Sequence, residues 1–137
     1  MPRKFLILLI TTFLSFQLVQ ARVTEISFDE LTEIVERDDY TSVIIVDCYA
    51  TWCAPCAYYA PTFDNVSGLN LPACFYRIDI DENQEMVEQL NIESIPTTLV
   101  IYRAEDSHPV VVRKTGMMTY EDLKDFVIEG IRRHNAR

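Results

Sequence analysis

The run Val43-Ile44-Ile45-Val46-Asp47-Cys48-Tyr49-Ala50-Thr51-Trp52-Cys53-Ala54-Pro55-Cys56 decides the fold. Its first half is a continuous β-branched stretch, which suits a central strand covered on both faces. Its second half places two cysteines three apart where a helix begins. Pro55 suits the first helical turn because it has no N–H to leave unpaired, and Ala54-Pro55 keeps the loop small. Two cysteines so spaced face the same side and can close a small ring. The helix N-terminus supplies partial positive charge and free N–H groups, which favour a thiolate. Cys53, outside the first turn, is expected to be the exposed attacking sulfur. Cys56, within the turn, is expected to be less accessible and to resolve the mixed disulfide. Metal knuckles also use Cys-x-x-Cys, but between the strand and helix of a βαβ unit the pair reads as a redox motif.

Around this run the chain alternates helix and strand. Thr24-Glu25-Ile26 reads as a short strand. Ser27-Phe28-Asp29-Glu30 is a capping box, and Phe28, Leu31, Ile34 and Val35 follow at helical spacing. The helix opened at Pro55 runs toward Asn65. Ala73 to Ile80 is a second long strand. Asp81-Glu82-Asn83-Gln84 reads as another capping box, opening a helix with Met86, Val87 and Leu90 on one face. Thr97 to Tyr102 and Pro109 to Arg113 are strands joined through the polar Glu105-Asp106-Ser107 turn. Thr119 caps a last helix with Tyr120, Leu123, Phe126, Val127 and Ile131 inward. The order β-α-β-α-β-α-β-β-α implies an α/β fold: a central mixed sheet with helices on both faces, its last hairpin supplying the antiparallel pair.

Composition narrows the function classes. The chain has 137 residues, 49% of them hydrophobic, with 12 Lys+Arg against 21 Asp+Glu and a net charge of −9. That fits one domain with a buried core rather than a disordered chain. Nucleic-acid binding needs a basic face and is not expected. Four cysteines are too sparse for a disulfide scaffold.

The first residues read as an address. Met1-Pro2-Arg3-Lys4 is basic, Phe5 to Ala21 is uncharged, and Val19 and Ala21 occupy the −3 and −1 positions of a cleavage site. This is the order of a secretory signal peptide. The expected organisation is residues 1–21 as signal peptide and 22–137 as the folded domain, the alternative being an uncleaved membrane anchor. Cleavage would remove Arg3 and Lys4 and leave a formal charge of −11.

Trp52-Cys53-Ala54-Pro55-Cys56 closely resembles the Trp-Cys-Gly-Pro-Cys motif of thioredoxins, and the resemblance spans nearly the whole of 22–137. Asp47 matches their buried acid, and Arg77 stands where many have a lysine beside it. Pro61 matches the proline that kinks their active-site helix. Ile95-Pro96-Thr97 matches the loop carrying their cis-proline, and Gly116 a glycine near the substrate groove. The resemblance implies a thioredoxin fold and a dithiol, Cys53 and Cys56, with no metal and no cofactor beyond the redox-active disulfide. It implies that Asp47, buried below Cys56 with a raised pKa, takes its proton. Pro96 would hold a turn opposite the disulfide, and the backbone of Ile95 would pair with an extended substrate. Trp52, Ala54 and Pro55 would form the apolar surface beside the sulfurs, the alternative for Trp52 being a core position. Gly116 has two readings, a groove residue or a strand end with positive φ. The sequence departs from the family pattern at Ala54 and at Ala57-Tyr58, where a Lys commonly follows the second Cys. The rim is thereby more apolar and one thiolate-favouring charge is lost.

The spacing of Cys48, Cys53 and Cys56 also matches a plant-type iron–sulfur pattern. A Cys48 side chain inside a strand argues against that and against a four-cysteine zinc site. Cys48 and Cys74 are expected to be buried free thiols, a second disulfide being the alternative. His108 and His134 are expected on the surface, and Tyr58, Tyr59 and Phe63 in the core. Asn65-Val66-Ser67 is a glycosylation sequon, meaningful only in a eukaryotic secretory route.

Two function classes follow. One is a thiol–disulfide oxidoreductase, expected to reduce disulfides of exported proteins, with oxidase or isomerase as alternatives. The other is a binding or assembly subunit with an incidental redox pair. The expected partners are disulfide-containing proteins and a membrane electron donor, and the expected state is a monomer. No Lys-Asp-Glu-Leu-type tail follows Asn135-Ala136-Arg137. A periplasmic or secreted location is therefore expected rather than the endoplasmic reticulum lumen.

Overall fold

A computed structural model describes residues 23–37 and 42–136; the expected signal peptide lies outside the described residues. The elements are β1 (Val23–Glu25), α1 (Phe28–Glu36), β2 (Val43–Tyr49), α2 (Ala54–Ser67), β3 (Ala73–Asp79), α3 (Gln84–Gln89), β4 (Thr97–Arg103), β5 (Pro109–Thr115) and α4 (Tyr120–Asn135). The strands form one five-stranded sheet in the order β1-β3-β2-β4-β5. β1, β3 and β2 are parallel. β4 runs antiparallel to both β2 and β5, so the antiparallel part extends beyond the last hairpin.

Alternation along β2 sorts its side chains onto two cores. Ile44, Val46 and Cys48 face a core with Leu31 and Met86 from α1 and α3. Val43 and Ile45 face the opposite core, with Tyr59, Phe63 and Val66 from α2 and Leu123 and Val127 from α4. Asp47 shares the parity of Val43 and Ile45 and so points under α2. The sheet is covered on both sides, which is why β2 and β4 are buried along nearly their whole length and each holds a β-branched or aliphatic run, Val43–Val46 and Leu99–Ile101.

Helix starts follow local chemistry. The Ser27–Glu30 capping box is present in both directions. Thr119 accepts from the Asp122 N–H at the start of α4, and Arg132, Arg133 and His134 lie in its last turn. The expected capping box at Asp81 is not formed. Asp81 accepts from the Trp52 indole instead, and the helix begins after Asn83, whose side chain makes no cap bond. The Asn83 side chain accepts from the Phe28 N–H at 2.7 Å and donates to the Asp79 carbonyl at 2.8 Å, joining α1 to the end of β3.

Three other expectations are corrected. His134 is buried, with Nδ1 accepting from the Arg103 N–H, because it sits on the face of α4 turned toward β4. Tyr58 is 80% exposed, whereas Tyr59 and Phe63 are in the core, since neighbouring helical positions lie about 100° apart. Cys74 is exposed, although Cys48 is a buried free thiol as expected. No bond joins them: Cys74 pairs with Ile44 and Cys48 with Ile78. That offset of four residues is about 13 Å along the strands, well beyond the roughly 7 Å limit for a bridge.

Candidate active site

Each sulfur is placed by the strand-to-helix turn. Cys53 is the N-cap of α2, and its Sγ accepts from the Cys56 N–H at 3.2 Å. One helical turn brings the two Cα atoms to 5.3 Å, and the sulfurs are joined in a disulfide. Pro55 lies in the first turn and Pro61 within the helix. Both cysteines pack with Ala50 against Tyr49, Ile80 and Ile95. Cys53 is thus not exposed as expected: only 5% of its surface is accessible, against 3% for Cys56. The two still differ in outlook. Cys53 lines an outer groove with Trp52, Ala54, Pro55 and Ile95, of about 550 Å³. Cys56 lines a second recess of about 220 Å³ with Asp47 and Arg77, which Cys53 also borders.

Across the groove, the Ile95–Pro96 peptide bond is cis. The Ile95 carbonyl oxygen lies 3.9 Å from Cys53 Sγ. Gly116 has φ +91° and donates its N–H to the Pro96 carbonyl at 2.7 Å. Gly116 thus follows the end of β5 with positive φ, and its left-handed backbone turns the N–H onto the loop that faces the disulfide. Trp52 is 69% exposed rather than core, and its indole Nε1 donates to Asp81 Oδ2 at 2.8 Å. Nothing in the local sequence around Trp52 pointed to Asp81, since 29 residues separate them.

Asp47 is fully buried. Arg77, its register partner on β3, donates from Nε to Asp47 Oδ2 at 3.1 Å. The same guanidinium reaches Asp64 on α2 at 3.5 Å and lies over the rings of Tyr49 and Phe63. Asp47 Oδ1 is buried with no hydrogen-bond partner among the described residues. Burial pushes the Asp47 carboxyl up from 3.8 to about 6, while the Arg77 hydrogen bond and charge pull the other way. An acid in that range can take and return a proton near neutral pH. Among the described residues no cluster of His, Cys, Asp and Glu could hold a metal ion.

Comparisons with known proteins agree with this geometry. The thioredoxin family model matches residues 21–129. A thioredoxin H-type of Oryza sativa subsp. indica is 32% identical over 99 residues, covering 72% of this chain and 77% of that protein. A peptide-N(4)-(N-acetyl-beta-glucosaminyl)asparagine amidase of Caenorhabditis elegans is 36% identical over 80 residues. Those residues are 58% of this chain but only 13% of that enzyme, so the likeness concerns one segment of it. In three dimensions the chain resembles chloroplastic thioredoxin z with a TM-score of 0.68 and 27% identity, over 81% of this chain and 96% of that one. With the Cys53–Cys56 disulfide capping α2 and the mixed sheet beneath it, the chain belongs to the thioredoxin family, a group of disulfide oxidoreductases.

Proposed function

We propose that this protein reduces disulfides in exported proteins and is itself re-reduced by a membrane electron carrier. The observation that carries the reading is the placement of Cys53 on the outer groove and Cys56 on the recess shared with buried Asp47. In the reduced protein the Cys53 thiolate attacks one substrate sulfur. A Cys53–substrate bond forms, the substrate disulfide breaks, and the departing thiolate takes up a proton. Asp47 then accepts the Cys56 proton across the recess. The Cys56 thiolate attacks Cys53 Sγ, and the second substrate sulfur leaves. Two electrons have passed to the substrate, and the protein is left as the disulfide. Substrate lies extended along Ile95, in the groove walled by Trp52, Ala54 and Pro55, near the loop held by Pro96 and Gly116.

The small Ala54-Pro55 spacer supports the reducing direction, because no histidine stands next to Cys56 to stabilise the dithiol. The charged start and apolar run of residues 1–21 support export to a periplasmic or extracellular space. The protein is proposed to act as a monomer.

Insulin reduction tests the chemistry: it should proceed with the wild type and vanish in Cys53→Ser. Equilibration with a glutathione buffer tests the direction. A reduction potential near that of reducing thioredoxins, about −270 mV, is expected, and one above about −200 mV would sink the reductase reading. Cys56→Ser should accumulate mixed disulfides with exported proteins. If it traps none, the assignment of substrates fails.

A further inference from the structure

The charge around the disulfide is one-sided. Between Arg37 and Arg103 the sequence holds a single basic residue, Arg77, and no histidine. That stretch carries Asp47, both active-site cysteines, Trp52 and the Ile95–Pro96 loop. Arg77 is already paired with Asp47 and Asp64. Against it stand Asp79, Asp81, Glu82, Glu85, Glu88 and Glu93, all within the stretch from Asp79 to Glu93, whose Ile80, Ile92 and Glu93 line the groove. Glu93 lines the groove itself, between apolar walls of Trp52, Ile80, Ile92 and Ile95. Among the described residues no Lys or Arg lies within 4 Å of Asp81, Glu82 or Glu93. Arg113, the nearby cation from β5, is held on the carbonyls of Leu90 and Asn91.

We propose that this groove selects disulfide-bonded segments with Lys or Arg beside the reacting cysteine, and that Glu93 is the specificity-determining residue. The chemistry of the groove fits such a side chain in both its parts. Lys and Arg lay their alkyl stems along apolar surface while the charged head stays in water. Here the apolar wall receives the stem and the Glu93 carboxylate meets the head. An acidic neighbour would meet the same carboxylate, which accepts from the Asn91 side chain at 3.2 Å but has no cation against it among the described residues; like charge there slows encounter and weakens docking. The inference rests on the disulfide-exchange reading of the same site.

Trp52 is the single tryptophan of the chain and adjoins Cys53, so its fluorescence reports oxidation directly. The reduced protein is mixed in stopped flow with two synthetic disulfide peptides, identical except for Lys or Glu beside the cysteine. The Lys peptide should oxidise it about tenfold faster at low salt. The ratio should fall below about twofold near 0.5 M NaCl, where the Debye length shrinks to about 4 Å. Glu93→Lys should reverse the preference. Glu105→Lys makes the same charge change in the hairpin at the far end of β4, about 20 Å of strand away, and should keep it. Equal rates in the wild type overturn the selection while leaving the exchange chemistry intact. So does a preference that Glu105→Lys abolishes as fully as Glu93→Lys, because that marks net charge rather than the groove. If neither peptide oxidises the protein, the disulfide-exchange reading falls and the selection with it.

Discussion

Asp47 and Arg77 are register partners on the neighbouring parallel strands β2 and β3, with Arg77 Nε 3.1 Å from Asp47 Oδ2. The pair is asymmetric. Asp47 is buried and its second oxygen is unpaired among the described residues, while the guanidinium continues outward to Asp64 at 3.5 Å. Arg77 therefore offsets only part of the desolvation of Asp47, and the carboxyl stays raised at about 6.

That raised value links stability to pH. The unfolded carboxyl releases its proton near 3.8, whereas the folded one keeps it to about 6. The folded state holds more protons between those values. The contribution of Asp47 is therefore fully present below about pH 4 and is lost as the pH rises through about 6. Asp47→Asn should remove this loss. Relative to wild type it should gain about 1–3 kcal/mol on going from pH 4 to pH 8, at about 1.36 kcal/mol per pKa unit. Urea unfolding of the oxidised protein at both pH values measures it, and parallel pH slopes would refute it.

Removing the cation should move the same carboxyl further. Arg77 lowers the Asp47 pKa by hydrogen bond and charge. In Arg77→Met the carboxyl should titrate above about 6, and the pH dependence of substrate release should shift upward with it. Arg77→Lys should fall between the two. Carbon-detected NMR titration of Asp47 reads the order directly, and an unchanged midpoint in Arg77→Met would show that burial alone sets it.

Gly130 is a packing requirement of α4. A Cβ there would lie 2.4 Å from Val100 Cγ1 on β4 and 3.5 Å from Val43 Cγ1 on β2. Gly130→Ala should cost about 1–3 kcal/mol through overpacking. Adding Val100→Ala should recover part of that cost, so the double mutant should be more stable than the sum of the single changes implies. Strict additivity in denaturant unfolding would rule out the contact as the cause.

Gly116 differs in kind, since a Cβ there meets nothing within 4 Å. Its cost to substitution comes from φ +91° alone. Gly116→Ala should destabilise by about 1–2 kcal/mol, and Gly116→Asn by less, because Asn tolerates the left-handed region better. Equal stability of Ala and Gly at this position would contradict the backbone assignment.

The two remaining thiols should separate by reactivity. Cys74 is exposed and Cys48 is buried, where burial pushes its thiol pKa up. Oxidised native protein should take up one equivalent of maleimide, at Cys74, and a second only after unfolding. Peptide mapping decides between this and a Cys48–Cys74 bond, which would block both.

The strands, the helix starts at Ser27 and Thr119, and the redox turn were legible in the sequence because they depend on neighbours within a few residues. β-branched runs, hydroxyl caps and a proline at a first helical turn act over one or two turns of chain. The Asp81 cap does not form for a related reason. Its carboxylate had a competing donor, the Trp52 indole, that no local pattern reveals. The positions of His134 and Tyr58 are not legible locally, because a helix face is defined only by what it packs against: α4 turns His134 toward β4, and α2 turns Tyr58 to solvent.

By itself, the sequence determined that two cysteines three apart cap a helix behind a buried strand, and that an acid precedes them on that strand. Both are consequences of short-range backbone geometry. Only the tertiary structure decided how that acid is tuned and what the sulfurs face. Parallel pairing set Arg77 beside Asp47, the cis Ile95–Pro96 loop was brought against Cys53, and Gly116 was turned onto that loop. These partners lie tens of residues apart, so their distances exist only once the sheet register is fixed.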